Sequence, residues 1–118
     1  MSYIDGFVAA VPDANREKYL QFARTTDQVF KDCGALRVVD CWADDVPEGN
    51  LTSFPLAVKR EPGESVVFGW IEWQSKAARD VGFAKAMADP RMHPASNAMP
   101  FDGKRMIFGG FQSIVELS

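Results

Sequence analysis

From Asn15 to Cys33 the apolar positions Tyr19, Phe22, Ala23, Thr26, Phe30 and Cys33 recur at intervals of three and four, charges fill the gaps, and Gly34 follows. This periodicity predicts an amphipathic helix with one face on a core, closed by a glycine free to take the left-handed conformation. On either side stand runs of another kind, YIDGFVAAV from Tyr3 to Val11 and ALRVVDCW from Ala35 to Trp42, whose β-branched and aromatic content reads as strand. A strand, a long helix and a second strand make a crossover, and crossovers of this kind are right-handed. That leaves few topologies open.

SVVFGWIEW, Ser65 to Trp73, is a third strand, and Ser75 caps a second helix with a small-residue stripe of Ala77, Ala78, Val81, Ala84 and Ala88, ended by Asp89-Pro90. RMIFGGFQSIVEL, Arg105 to Leu117, is the final strand. The roughly twenty residues between the second and third strands contain Pro47, Gly49, Pro55, Pro62 and Gly63, and so long a connection predicts a short helix over 54–59. The order β-α-β-β-α-β is the ferredoxin-like pattern. Its α+β fold is one antiparallel sheet ordered 4-1-3-2 with both helices on one face. With 118 residues the chain is expected to form a single domain, residues 1–118.

Thirteen basic residues against sixteen acidic ones give a net charge of -3, which repels a phosphate backbone and argues against nucleic acid as a partner. There is no basic leader and no run of about 20 apolar residues, so no membrane partner is expected and the chain reads as cytoplasmic. Cys33 and Cys41 lie outside zinc-site spacing and His93 is the one histidine, which argues against a metal site. No cofactor motif is present either, and the expectation is a chain that works without a cofactor.

Period-two alternation divides the first strand into Ile4, Gly6, Val8 and Ala10 against Tyr3, Asp5, Phe7 and Ala9, and the third into Val67, Gly69, Ile71 and Trp73 against Val66, Phe68, Trp70 and Glu72. Small and aliphatic character assigns the first set of each to the helix side. Asp5 and Glu72 then become neighbours on the open face, where repulsion and shielding would separate their pKa values into an acid and a base. Their plainer role is to cap the sheet end in water or pair with Arg37. The faces of the second strand are ambiguous. Trp42 favours Leu36, Val38, Asp40 and Trp42 as the cavity side.

Asp5, Trp42, Trp70 and Glu72 are therefore the candidate lining of a ligand cavity, although aromatic strand residues more often form plain core. His93, in a proline-rich loop, is the candidate proton shuttle or a surface residue. Within AMPFDGKRMIFGGF, Ala98 to Phe111, the glycines lead into a strand rather than a helix N-terminus, which argues against a phosphate cradle. Asp102-Gly103 reads as a turn, Gly109-Gly110 as a bulge or close approach at an edge strand near a dimer seam, and Arg105 as a candidate contact for an acidic ligand. An open aromatic sheet face needs a cover, and a second copy of the sheet is the simplest one, so a homodimer is expected.

The blocks YIDGFVAAVP, GALRVVDCWADDVPEG, VVFGWIEWQSKAARD, MADPRMHP and MPFDGKRMIFGGF resemble, over nearly the whole chain, the YbaA-like bacterial family known as domain of unknown function 1428. The resemblance implies the dimeric α/β barrel superfamily, and hence the same homodimer, but supplies no catalytic motif. Fold relatives there include cofactor-independent monooxygenases, muconolactone isomerases and haem-degrading enzymes, which are joined by architecture more than chemistry. The resulting expectation is a soluble bacterial homodimer with a cavity for a small organic metabolite. Its alternatives are a cofactor-independent monooxygenase-like or isomerase-like enzyme and a non-catalytic dimerisation or interaction module.

Overall fold

The computed structural model describes residues 2–118 and contains four strands and two long helices in the anticipated order. β1 (Tyr3–Pro12), β2 (Arg37–Trp42), β3 (Glu64–Trp73) and β4 (Ile107–Gln112) form one antiparallel sheet in the order β2-β3-β1-β4. α1 (Arg16–Asp32) and α3 (Lys76–Ala88) cover one face, and a single turn of helix, α2 (Phe54–Ala57), interrupts the long connection. The Ser75 hydroxyl caps α3 by accepting from the Ala78 amide at 3.1 Å. Gly34, at φ +114°, turns the chain out of α1.

Cross-strand partners share a face of the sheet, so the register fixes which side chains meet the helices. Tyr3 pairs with Trp73, Asp5 with Ile71, Phe7 with Gly69 and Ala9 with Val67. Ala9, Val11 and Val67 pack with Tyr19 and Ala23 of α1, while Ile71 and Trp73 pack with Val29 and Phe30 of α1 and Ala86 of α3. The helix side of β3 is therefore the anticipated one and that of β1 is the reverse. Ile4, Gly6, Val8 and Ala10 lie on the opposite face, where Val8, Ala10 and Val66 are covered by Val58, just past α2. Residue size was a misleading guide here. Phe7 is accepted beside the helices because Gly69 leaves room for its ring: a Cβ on Gly69 would stand 2.5 Å from Phe7 Cε1.

Two further expectations are corrected by packing. The buried face of α3 is formed by Gly82 and Ala86, whereas Ala77, Val81, Ala84 and Ala88 face outward. The reason lies in Trp73, whose ring approaches Gly82 so closely that a Cβ there would stand 2.4 Å from it. β4 stops at Gln112 instead of reaching Leu117, because Gln112 already pairs with Tyr3, the first residue of β1. Gly109 and Gly110 pair regularly with Gly6 and Asp5, without a bulge. Gly110 is instead a close approach, with the Tyr3 ring lying where its side chain would be.

Candidate functional site

α1 and α3 leave a gap over the β1 and β4 side of the sheet, and a cavity of about 470 Å³ opens there. This lies within the roughly 300–1,000 Å³ typical of small-molecule sites. Its floor carries Phe7 and Ile71, its walls Phe30 and Phe83, and its rim Phe101 and Phe108. Met87, Met92, Met99 and Met106 also line it, which are four of the five methionines in the chain. Thioethers on flexible stems adapt to varied apolar shapes. A larger depression of about 750 Å³ beside Lys18, Gln21 and Ser96 is a more open surface groove with a mixed polar and apolar lining.

The chemistry of the cavity lies at its β2 end. Asp40 belongs to the sheet row that crosses Gly69 and Phe7, and it lines the cavity beside the Phe7 ring that lies over Gly69. The Tyr19 hydroxyl donates to Asp40 Oδ1 at 2.6 Å. Asp27, two helical turns beyond Tyr19 on the same face of α1, is also hydrogen-bonded to Asp40. Thr26 Oγ1 lies 3.4 Å from Asp27 Oδ1. Burial, followed by the bond to Asp40 and its charge, pushes the Asp27 carboxyl up to about 9. The two carboxyls therefore share one proton at neutral pH. Burial, with Asp40 beside it, likewise raises the Tyr19 phenol.

At the other end of the cavity Asp5 faces the helices beside Gly110. Its Oδ2 accepts from Trp73 Nε1 at 2.9 Å and lies 3.9 Å from Arg79 Nε. Burial raises its pKa, opposed by the Trp73 bond and the Arg79 charge.

The residues singled out from the sequence are thus dispersed. Glu72 pairs with Ile4, not Asp5, and the one-residue offset puts Asp5 and Glu72 on opposite faces, which removes the proposed acid and base pair between them. Glu72 instead accepts from Trp70 Nε1 at 3.3 Å on the open face. Trp42, with Val38 and Asp40, faces the helices and not the open side where the cavity was expected, and its ring packs at 6.1 Å against Tyr19 with the Arg16 guanidinium over it, outside the cavity lining. His93 is exposed in the turn after Met92 and does not line the cavity. Arg105 is engaged by Glu64 and Asp102 and by the Lys59 carbonyl, which leaves its guanidinium committed to the fold rather than to an acidic ligand.

Asp5 alone of those candidates lines this cavity, which lies on the helix side of the sheet and not on the open face where a cavity was expected, and Asp27 was missed. The signal for Asp27 was its spacing: Tyr19, Ala23 and Asp27 are four apart, which puts a carboxylate on the buried stripe of α1.

The family described as "Protein of unknown function (DUF1428)" matches residues 2–103. The chain is 53% identical over 116 residues to the "Uncharacterized protein YbaA" of Escherichia coli K12, covering 98% of this chain and 99% of that protein, and equally so to the protein of that description from Shigella flexneri. Among solved structures, a dimeric ferredoxin-like protein from an uncultured marine organism superposes with a TM-score of 0.60 over 99% of this chain and 97% of its own, at 12% identity. At that identity the likeness carries the fold alone.

Proposed function

Since this chain belongs to the DUF1428 family, whose description leaves its activity open, we propose from the site itself that each protomer of a homodimer binds a small apolar metabolite between sheet and helices and moves a proton on it. The observation that carries this reading is the Asp27–Asp40 carboxyl pair, anchored by Tyr19, at the wall of an otherwise apolar cavity. Two carboxyls that share one proton can give it to one atom of a ligand and take another from a second atom, and the balance closes within the pair. This supports isomerase-like chemistry, in which a proton leaves one atom of the ligand and another arrives elsewhere. The homodimer is supported by the apolar sheet face opposite the helices and by the dimeric state named for the marine fold neighbour.

The test is a thermal-shift screen of small ketones and arylalkanoic compounds, followed by NMR of each hit in D2O. A ligand raises the melting temperature according to its occupancy. The expected result is deuterium incorporation next to a carbonyl, abolished in Asp27→Asn. A hit that binds without exchange in the wild type would leave a non-catalytic binding protein.

A further inference from the structure

We propose that the natural ligand carries one anionic group, a carboxylate, held by Arg79 at the end of the cavity away from Asp27 and Asp40; this rests on the cavity reading above. Arg79, on the first turn of α3, lines the cavity with its guanidinium 4.8 Å over the Tyr3 ring, and Nη2 donates to the Tyr3 hydroxyl at 2.9 Å. Its Nε–H is buried and has no hydrogen-bond partner among the described residues. Asp80 Oδ1 at 3.3 Å and Asp5 Oδ2 at 3.9 Å supply charge without the reach or alignment of a hydrogen bond.

Arginine presents five donors in a planar fork, and a buried donor left unpaired in a folded protein calls for an acceptor. A ligand carboxylate reaching this end of the cavity provides one, as the charge-assisted bond for which the guanidinium geometry is suited. Asp5 is the competitor for that bond, and its geometry makes it a weak one, since its Oδ2, held by the Trp73 indole N–H at 2.9 Å, stands 3.9 Å from the Arg79 Nε.

The sheet also sets the length of the molecule. Asp40 and Asp5 are separated by two strand spacings and one side-chain row, about 12 Å between Cα positions at usual strand spacing. With Arg79 and Asp27 leaning in from the helices, one arylalkanoate can reach both ends while its apolar body lies against the phenylalanines and methionines.

The probes are 4-phenylbutyrate and its neutral amide, titrated by calorimetry at pH 7. The expected result is acid binding at least tenfold tighter than the amide, with Arg79→Gln bringing the acid down to the amide's affinity and leaving the amide unchanged. The unchanged amide affinity reports that the variant is folded, and Asp5→Asn, which removes the competing charge, should tighten the acid further. Equal affinities for acid and amide in the wild type, or an acid preference that survives in Arg79→Gln, overturn the anionic end while leaving the cavity standing. Binding of neither probe overturns both.

Discussion

Arg105 closes a two-pronged ion pair on Glu64, Nη1 to Oε1 at 2.7 Å and Nη2 to Oε2 at 2.8 Å. It ties the turn that leads into β4 to the first residue of β3, in a place where the side chains are only 17% and 8% exposed. The Arg105 bonds hold the Glu64 carboxyl below its usual range against the opposing effect of burial. Arg105→Ala leaves Glu64 charged, buried and short of partners, and should cost about 2–4 kcal/mol in a urea titration at pH 7.

The same pair has a pH signature. A depressed carboxyl contributes stability that is present above its ordinary pKa of 4.5 and lost as pH falls through the lowered one. Below pH 4.5 the wild type should lose this contribution while Arg105→Ala gains by protonating Glu64. The stability gap between the two proteins should therefore narrow from pH 7 to pH 4, and a constant gap would mean that the pair is not the source of the loss.

Asp27 works in the opposite sense. Its folded pKa, about 9, stands above the ordinary 3.8, so the unfolded chain releases this proton first as pH rises. The stabilising contribution is complete below pH 3.8 and is lost progressively up to about pH 9. Asp27→Asn mimics the protonated carboxyl, since its amide still donates to Asp40. It should flatten the stability profile across that window and match or exceed the wild type at pH 9 in denaturant melts. A variant profile parallel to the wild type's would remove Asp27 as the titrating group.

Strand order, helix positions and the reversal at Gly34 were legible in the sequence because periodicity and turn chemistry act locally. The faces of β1 were not, because Tyr3, Asp5 and Phe7 are accommodated by what stands beside them. Gly69 and Gly110 make room for Phe7 and Tyr3, and the Trp73 indole satisfies Asp5, none of which is local to β1. Nor does alternation fix register, and a single-residue offset separated Asp5 from Glu72. Asp40 was seen as one of a set that included Trp42. Its partner Asp27 is visible only when the carboxylate is counted as part of the buried stripe of α1.

Gly69 offers a direct test of how tightly the cavity floor is set. A Cβ there would lie 2.5 Å from Phe7 Cε1 and 2.6 Å from the Val39 carbonyl oxygen, and the carbonyl, being backbone, cannot swing aside. Gly69→Ala should destabilise the protein by about 1–3 kcal/mol and push Phe7 into the cavity, weakening any cavity ligand. Gly63→Ala meets nothing within 4 Å and keeps its strain, φ +82°, away from the cavity, so it should lose stability without losing ligand affinity. Paired denaturant and binding titrations separate the two effects.

The open sheet face gives the test of assembly. The register sets out three rows across it: Phe111, Ile4, Glu72 and Arg37; Gly109, Gly6, Trp70 and Val39; Ile107, Val8, Phe68 and Cys41. Phe111 is 63% exposed and Phe68 42%, and the glycines of the middle row leave a trough beside Trp70. Burying such a patch against its own copy is favoured by about 25 cal/mol for each Å² of apolar surface removed from water. Sedimentation equilibrium at micromolar concentration should give twice the 13.1 kDa chain mass. Phe111→Glu places a charge on that face at a position with little packing inside the protomer, so it should return the mass to a single chain while the circular dichroism spectrum is kept. Cys41, exposed on the same face in the isolated protomer, should react with a thiol reagent faster in the variant than in the wild type. A wild-type protein that sediments as a single chain would remove the homodimer.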